Sequence, residues 1–206
     1  MIPNPPPGTG DGDTSGEINR FVRDQLFEQR VVVVSGRLDH TAAGQAAMEI
    51  MTHDADGDEP IRLHLGCPDG DLDAALALMD VVELAGVPVE ALCIGAVGGG
   101  AVGVLAVCAR RQATRTSTIH LKDPGDSFCG SAVDQQRWAT FRAERWATFC
   151  QRVADATGRS AAVVADGFEH GRFLTADQAI EYGVVHEIVE RRPEARRSRL
   201  GFKPVR

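Results

Sequence analysis

The chain has no surplus of positive charge: 29 Asp and Glu against 22 Lys and Arg give a formal net charge of -7 and a pI near 5.4. Non-specific binding to nucleic acid or to an anionic membrane needs a basic surface, so neither is expected. There is no run of about 18 uncharged apolar residues and no basic-then-apolar leader, so no membrane span or secretory signal is expected and the expected compartment is the cytoplasm. The five cysteines, Cys67, Cys93, Cys108, Cys129 and Cys150, form no C-x-x-C pair and have no His at metal-ligand spacing. They read as reduced thiols, and neither a metal nor any other cofactor is expected. What is present is ordinary for a globular protein, 43% hydrophobic and 25% charged residues, in a length of 206 that suits one domain with tails.

Residues 1–17 (MIPNPPPGTGDGDTSGE) hold almost nothing apolar and cannot offset their ordering entropy by burial, which predicts a mobile arm. Residues 191–206 form a basic tail whose simplest reading is a solvated segment. Between them, residues 18–190 read as one domain in which short apolar runs alternate with helical patterns, the signature of an α/β fold around a mostly parallel sheet. The four-Val run Val31–Val34 fits a strand buried on both faces. Ile61–Leu65 alternates and ends at Gly66, Val87–Ile94 reads as a third strand, and Thr118–Leu121 as a fourth. Helical spacing covers Thr41–Met51 and Asp71–Leu84, the second placing Leu72, Ala75, Leu76, Met79 and Val82 on one face. From Gly98 a glycine-rich turn leads into a helix of small residues. Asp134–Thr157 reads as a long helix with Gly158 as its C-cap. It carries RWATF at 137–141 and again at 145–149, a step about 80° past two full turns, so both copies are expected to widen one packed apolar face. Thr175 reads as an N-cap, and Val184–Val189 follows Gly183 as a closing strand.

In this order the segments resemble the ClpP family, the proteolytic subunits with the ClpP/crotonase fold. That family has a strand ending in S-P-G-G, a G-x-x-A-S-M-G elbow and a strand ending in M-I-H-Q-P. After a handle, a long helix ends in T-G, and a D-R-D-x-F-[ML]-[ST]-A-x-E-A-x-E-Y-G-L-[IV]-D segment follows. The counterparts here are CPDGD at 67–71, GAVGGGA at 95–101, IHLKDP at 119–124, ATG at 156–158 and EHGRFLTADQAIEYGVVHEIV at 169–189. The resemblance spans roughly residues 21–190 and is strongest in FLTADQAIEYGVVHEIV. It implies repeated ββα units around a mostly parallel sheet, with a protruding helical handle at about 125–145.

A Ser hydrolase needs a hydroxyl on a strained turn, a His to take its proton and a carboxylate to hold that His. The resemblance places Gly99 at the nucleophile, Lys122 at the His and Gly171 at the carboxylate, so all three members are replaced. His120, two residues before Lys122 on the same strand face, is a candidate displaced base. No Ser, Thr or Cys lies between Cys93 and Cys108 to replace the nucleophile, which leaves Ser117, Ser127, Ser131 and Cys67 as distant substitutes, the last read as a buried inert thiol. The family's backbone oxyanion donors fall on Asp69 and Gly100. Carboxylates at Asp69 and Asp71 would oppose a developing oxyanion, and without further ligands they read as a solvated turn rather than a metal site.

The leading expectation is therefore a catalytically inactive ClpP-like subunit, structural or regulatory. The resemblance implies heptameric rings with itself or an active ClpP paralogue, and an AAA+ Clp ATPase as a further partner. Two alternatives stay open: a residual peptidase using His120 or a thiol, and a crotonase-type enzyme that stabilises an enolate with backbone donors.

Overall fold

The computed structural model describes residues 25–125 and 131–189. The expected arm and basic tail, together with Ser127 and Cys129, lie outside the described residues. Five strands, β1 (Val31–Leu38), β2 (Ile61–Gly70), β3 (Val89–Cys93), β5 (Arg110–Thr114) and β8 (Glu187–Val189), form a sheet in the order β1-β2-β3-β5-β8. Every pair in it is parallel. A smaller sheet, β4 (Ala96–Gly98), β6 (Thr118–Leu121) and β7 (Arg172–Thr175), has β6 paired parallel to β4 and antiparallel to β7. The helices are α1 (His40–Asp56), α2 (Leu72–Leu84), α3 (Ala101–Val107), α4 (Ala132–Thr157), α5 (Ala161–Glu169) and α6 (Ala176–Tyr182). This is the mixed α/β architecture of the ClpP fold.

Local chemistry sets the boundaries. Asp39 caps α1 by accepting the Ala42 N–H at 2.8 Å, and Thr175 and Gln178 form a reciprocal capping box at the start of α6. Gly158 and Gly183 close α4 and α6 in the left-handed region. The core is one cluster between the sheet and the helices, in which Ile61, Leu63 and Leu65 of β2 alternate inward beside Leu78 and Met79 of α2. Small α3 lies in the middle of it: a Cβ on Gly103 would sit 2.3 Å from the Phe149 ring, so the helix approaches α4 as closely as only Gly allows.

Several sequence expectations shift. β2 does not end at Gly66 but runs on to Gly70, because Arg37 and Leu38 pair with Asp69 and Gly70 after a register shift in β1. Helix α1 continues to Asp56 rather than Met51, and the closing strand begins at Glu187 rather than Val184. The strands β4, β5 and β7 are too short or too polar to show an apolar period, and helix α5, which buries Val164, Gly167 and Phe168, is an element not expected from the sequence. The expectation that both RWATF copies pack holds only for the second: Phe149 is fully buried, whereas Phe141 is 52% exposed.

Candidate active site

The elbow Gly98–Gly100 joins β4 to α3 and is clamped between the end of β2 and strand β6. Gly98 sits opposite His120 in the β4–β6 register, and a Cβ there would lie 2.4 Å from the Pro68 carbonyl oxygen. Gly99 has φ +56 and donates its N–H to the His120 carbonyl at 3.2 Å. The Gly100 N–H donates to the Gly70 carbonyl at 3.0 Å, so this expected oxyanion donor is already engaged. The turn is thus shaped like a strained strand-to-helix elbow, held by backbone contacts on both sides.

Charge occupies the space in front of it. Lys122, just past β6, places Nζ 3.0 Å from Asp69 Oδ1, and the same oxygen accepts the Gly70 N–H at 2.9 Å. Arg37 of β1 holds Asp69 Oδ2 at 2.5 Å, pairs with Asp71 and donates to the Gly125 carbonyl at 3.3 Å. A Cβ at Gly99 would stand 3.0 Å from Asp69 Oδ1, so the carboxylate lies where a side chain on the elbow would point. Burial alone would raise the Asp69 pKa, but the hydrogen bonds from Lys122 and Gly70 and the charges of Lys122 and Arg37 outweigh it and hold the carboxyl below its usual range. Asp71, at the N-cap of α2, makes no side-chain cap bond and spends its carboxylate on Arg37.

His120 stacks on Phe173 with centroids 3.7 Å apart, and the ring lies 3.8 Å from the position a Cβ on Gly171 would take. Its pKa is lowered, by burial first and then by the Lys122 charge, against the opposing effects of a Gly171 backbone hydrogen bond and Asp69. The fold therefore brings Asp69, Gly99, Gly100, His120, Lys122 and Gly171 into one place. Arg37 escaped sequence reasoning. Only the β1–β2 register, which sets it opposite Asp69, exposes its role.

The distant substitutes among the described residues are tied into structure elsewhere. Ser117 is buried, donates to the Cys93 carbonyl at 2.9 Å and shares a hydrogen bond with Thr114. Ser131 caps α4 and donates to Asp134. The Cys67 thiol is fully buried, contacts the Val34 carbonyl at 3.3 Å and is pushed up by burial to about 11. Cys93, Cys108 and Cys150 are likewise raised, to about 11, 12 and 12. These are neutral thiols at physiological pH, poor nucleophiles. No group of three or more His, Cys, Asp or Glu suited to a metal occurs among the described residues.

A mostly parallel sheet, a glycine elbow entering a buried helix and an antiparallel β6–β7 pair beside it define the architecture of a Clp-type proteolytic subunit. The family model for Clp protease matches residues 14–192, and the chain belongs to that family, which is of the ClpP serine-protease type. It is similar to the ATP-dependent Clp protease proteolytic subunit 1 of Thermobifida fusca, 27% identical over 177 residues that cover 84% of this chain and 79% of the relative. It is also similar to proteolytic subunit 3 of Rhodococcus jostii, 29% identical over 175 residues (82% and 85%). Proteolytic subunit 3 of Streptomyces coelicolor is 27% identical over 206 residues (95% and 94%). No helix among the described residues is long and apolar enough to cross a membrane.

Proposed function

We propose that this chain is a non-proteolytic member of its family, a structural or regulatory subunit of a Clp-type ring. The observation that carries the reading is Gly99 on the elbow, faced by an Asp69–Lys122 ion pair in the place where a nucleophile and its base would meet. Glycine forms no acyl-enzyme, and Lys122, bound to a carboxylate, has no hydroxyl to activate. Gly171 leaves His120 without an orienting carboxylate on that side. The engaged Gly100 N–H weighs against the crotonase-type alternative, and the raised thiol pKa values weigh against a cysteine peptidase.

A ring role is supported by the first half of α4, where Val133 and Phe141 are 60% and 52% exposed, apolar surface of the kind that a partner covers. The subunit enters rings with itself or with an active ClpP paralogue, and an AAA+ Clp ATPase docks on the assembly. Two measurements test this. Purified chain is expected to show no turnover of fluorogenic peptides, and co-expression with a triad-bearing paralogue is expected to give a mixed complex by native mass spectrometry. Peptide turnover abolished by Lys122→Ala, or a strictly monomeric chain under all co-expression conditions, contradicts the proposal.

A further inference from the structure

At the junction where the chain enters β1, three unusual features meet. Arg30 is the one non-glycine residue with positive φ among the described residues, at φ 57, in the left-handed region that costs an L-residue about 1–2 kcal/mol. His53, in the last turn of α1, is 2% exposed, and its Nε2 finds no hydrogen-bond partner. The Arg30 Nε is also buried and unsatisfied. Buried polar atoms are nearly always paired, so an unpaired one on each of these two neighbouring side chains is a cost that the docked joint carries. What holds it is a tilted stack of Phe27 on the His53 ring at 4.2 Å, a bond from Arg30 to the Gly57 carbonyl at 3.1 Å and the Arg30 carbonyl accepting from the Arg62 N–H at 2.9 Å.

We propose that this joint is an acid-sensitive hinge: protonation of His53 beneath Phe27 places a second cation beside Arg30 and releases residues 25–30 from the body of the domain. The charged groups acting on the ring are Arg30 from the entering segment, which disfavours the imidazolium, and Glu49 and Asp56 of α1, which favour it. On the outer side of Arg30, Glu28, Glu59, Arg62 and Glu90 line a groove of about 380 Å³, space into which the freed side chain can swing. Burial, and secondarily Arg30, keep the His53 pKa below the ordinary 6.5. The sign follows: the neutral ring belongs to the docked state, so docking is fully stable above about 6.5, the value of the released ring. It weakens as pH falls toward and through the docked-state value. Between those two values the released fraction rises by up to about tenfold per pH unit.

The test is hydrogen exchange on the full chain at pH 7.5 and 5.5, corrected for intrinsic rates, with His53 followed by its imidazole C–H resonance. The expected result is a loss of protection at the Gln29, Arg30 and Arg62 amides at the lower pH, tracking a His53 titration below 6.5. In His53→Gln that pH response is absent. Arg30→Gln, which leaves the ring in place and removes the neighbouring cation, is expected to shift the His53 titration upward and reduce the response. An equal pH response in wild type and His53→Gln, or a His53 titration at or above 6.5, overturns the hinge. If His53→Gln fails to fold, the Arg30→Gln shift decides alone, and no shift overturns it.

Discussion

The pentapeptide RWATF occurs twice in α4, and the two copies occupy different surroundings. In the second, Phe149 is fully buried, stacks with Trp146 at 5.4 Å and meets Phe168 edge-on at 5.4 Å. In the first, Phe141 is half exposed, with the Arg145 guanidinium 5.8 Å from its ring centroid, and Trp138 borders an open groove with Asp123, Gly125 and Arg142. Identical local sequence gives identical helix, with the apolar sides of the two copies about 80° apart around its axis. Whether anything covers each side depends on where the helix passes the body: the second copy runs against Gly103 and Met79, and the first runs past the end of β6. A buried aromatic here is a structural necessity, whereas an exposed one is not, and in the proposed ring it is the surface a neighbouring subunit would cover.

The comparison can be broken by mutation. Phe149→Ala is expected to cost about 3–5 kcal/mol in urea unfolding, since it empties a fully enclosed site between α3, α4 and α5. Next in size is Gly98→Ala, about 1–3 kcal/mol, because its Cβ meets the backbone oxygen of Pro68, which no rotamer change can relieve. A neutral Gly98→Ala would show that the elbow is not clamped.

Asp69→Asn is expected to cost roughly 1 kcal/mol or less, because Arg37 is half exposed and surface pairs are screened. Its pH dependence is more telling than its size. The folded carboxyl sits below its ordinary 3.8, so its contribution is present above that value and disappears as pH falls through the folded one. Wild type and Asp69→Asn should therefore differ near pH 7 and converge as pH falls below 3.8 and through the folded-state value, and a gap that shows no narrowing in acid would contradict the ion pair's contribution. Smallest of all, Phe141→Ala should change monomer stability by no more than about 0.5 kcal/mol while weakening assembly measured by sedimentation. A cost matching that of Phe149→Ala would erase the distinction between the two copies.

Much of the fold is legible in the sequence where an apolar run or a strong cap leaves a local signature: Val31–Val34, Thr118–Leu121, Gly158 and Thr175 all fall in the elements that residue pattern gives them, although Val33 is 41% exposed, so β1 is not buried on both faces as expected. Strands β4 and β7 are not legible, because each is three or four residues long and owes its existence to the β6 neighbour it pairs with. The candidate site divides the same way. Gly99, Lys122, His120 and Gly171 are found by motif order, and the structure gathers them at one elbow. Arg37 lies 32 residues from Asp69, and the engagement of the Gly100 N–H by Gly70 is a backbone event. Neither leaves a trace in residue identity.

The central claim is that this elbow forms no covalent acyl-type adduct. Intact-mass spectrometry after incubation with a serine-reactive fluorophosphonate tests it most directly. The predicted result is an unmodified chain under conditions that label a triad-bearing ClpP to completion. A stoichiometric adduct on any serine of this chain, accompanied by peptide turnover, would contradict it.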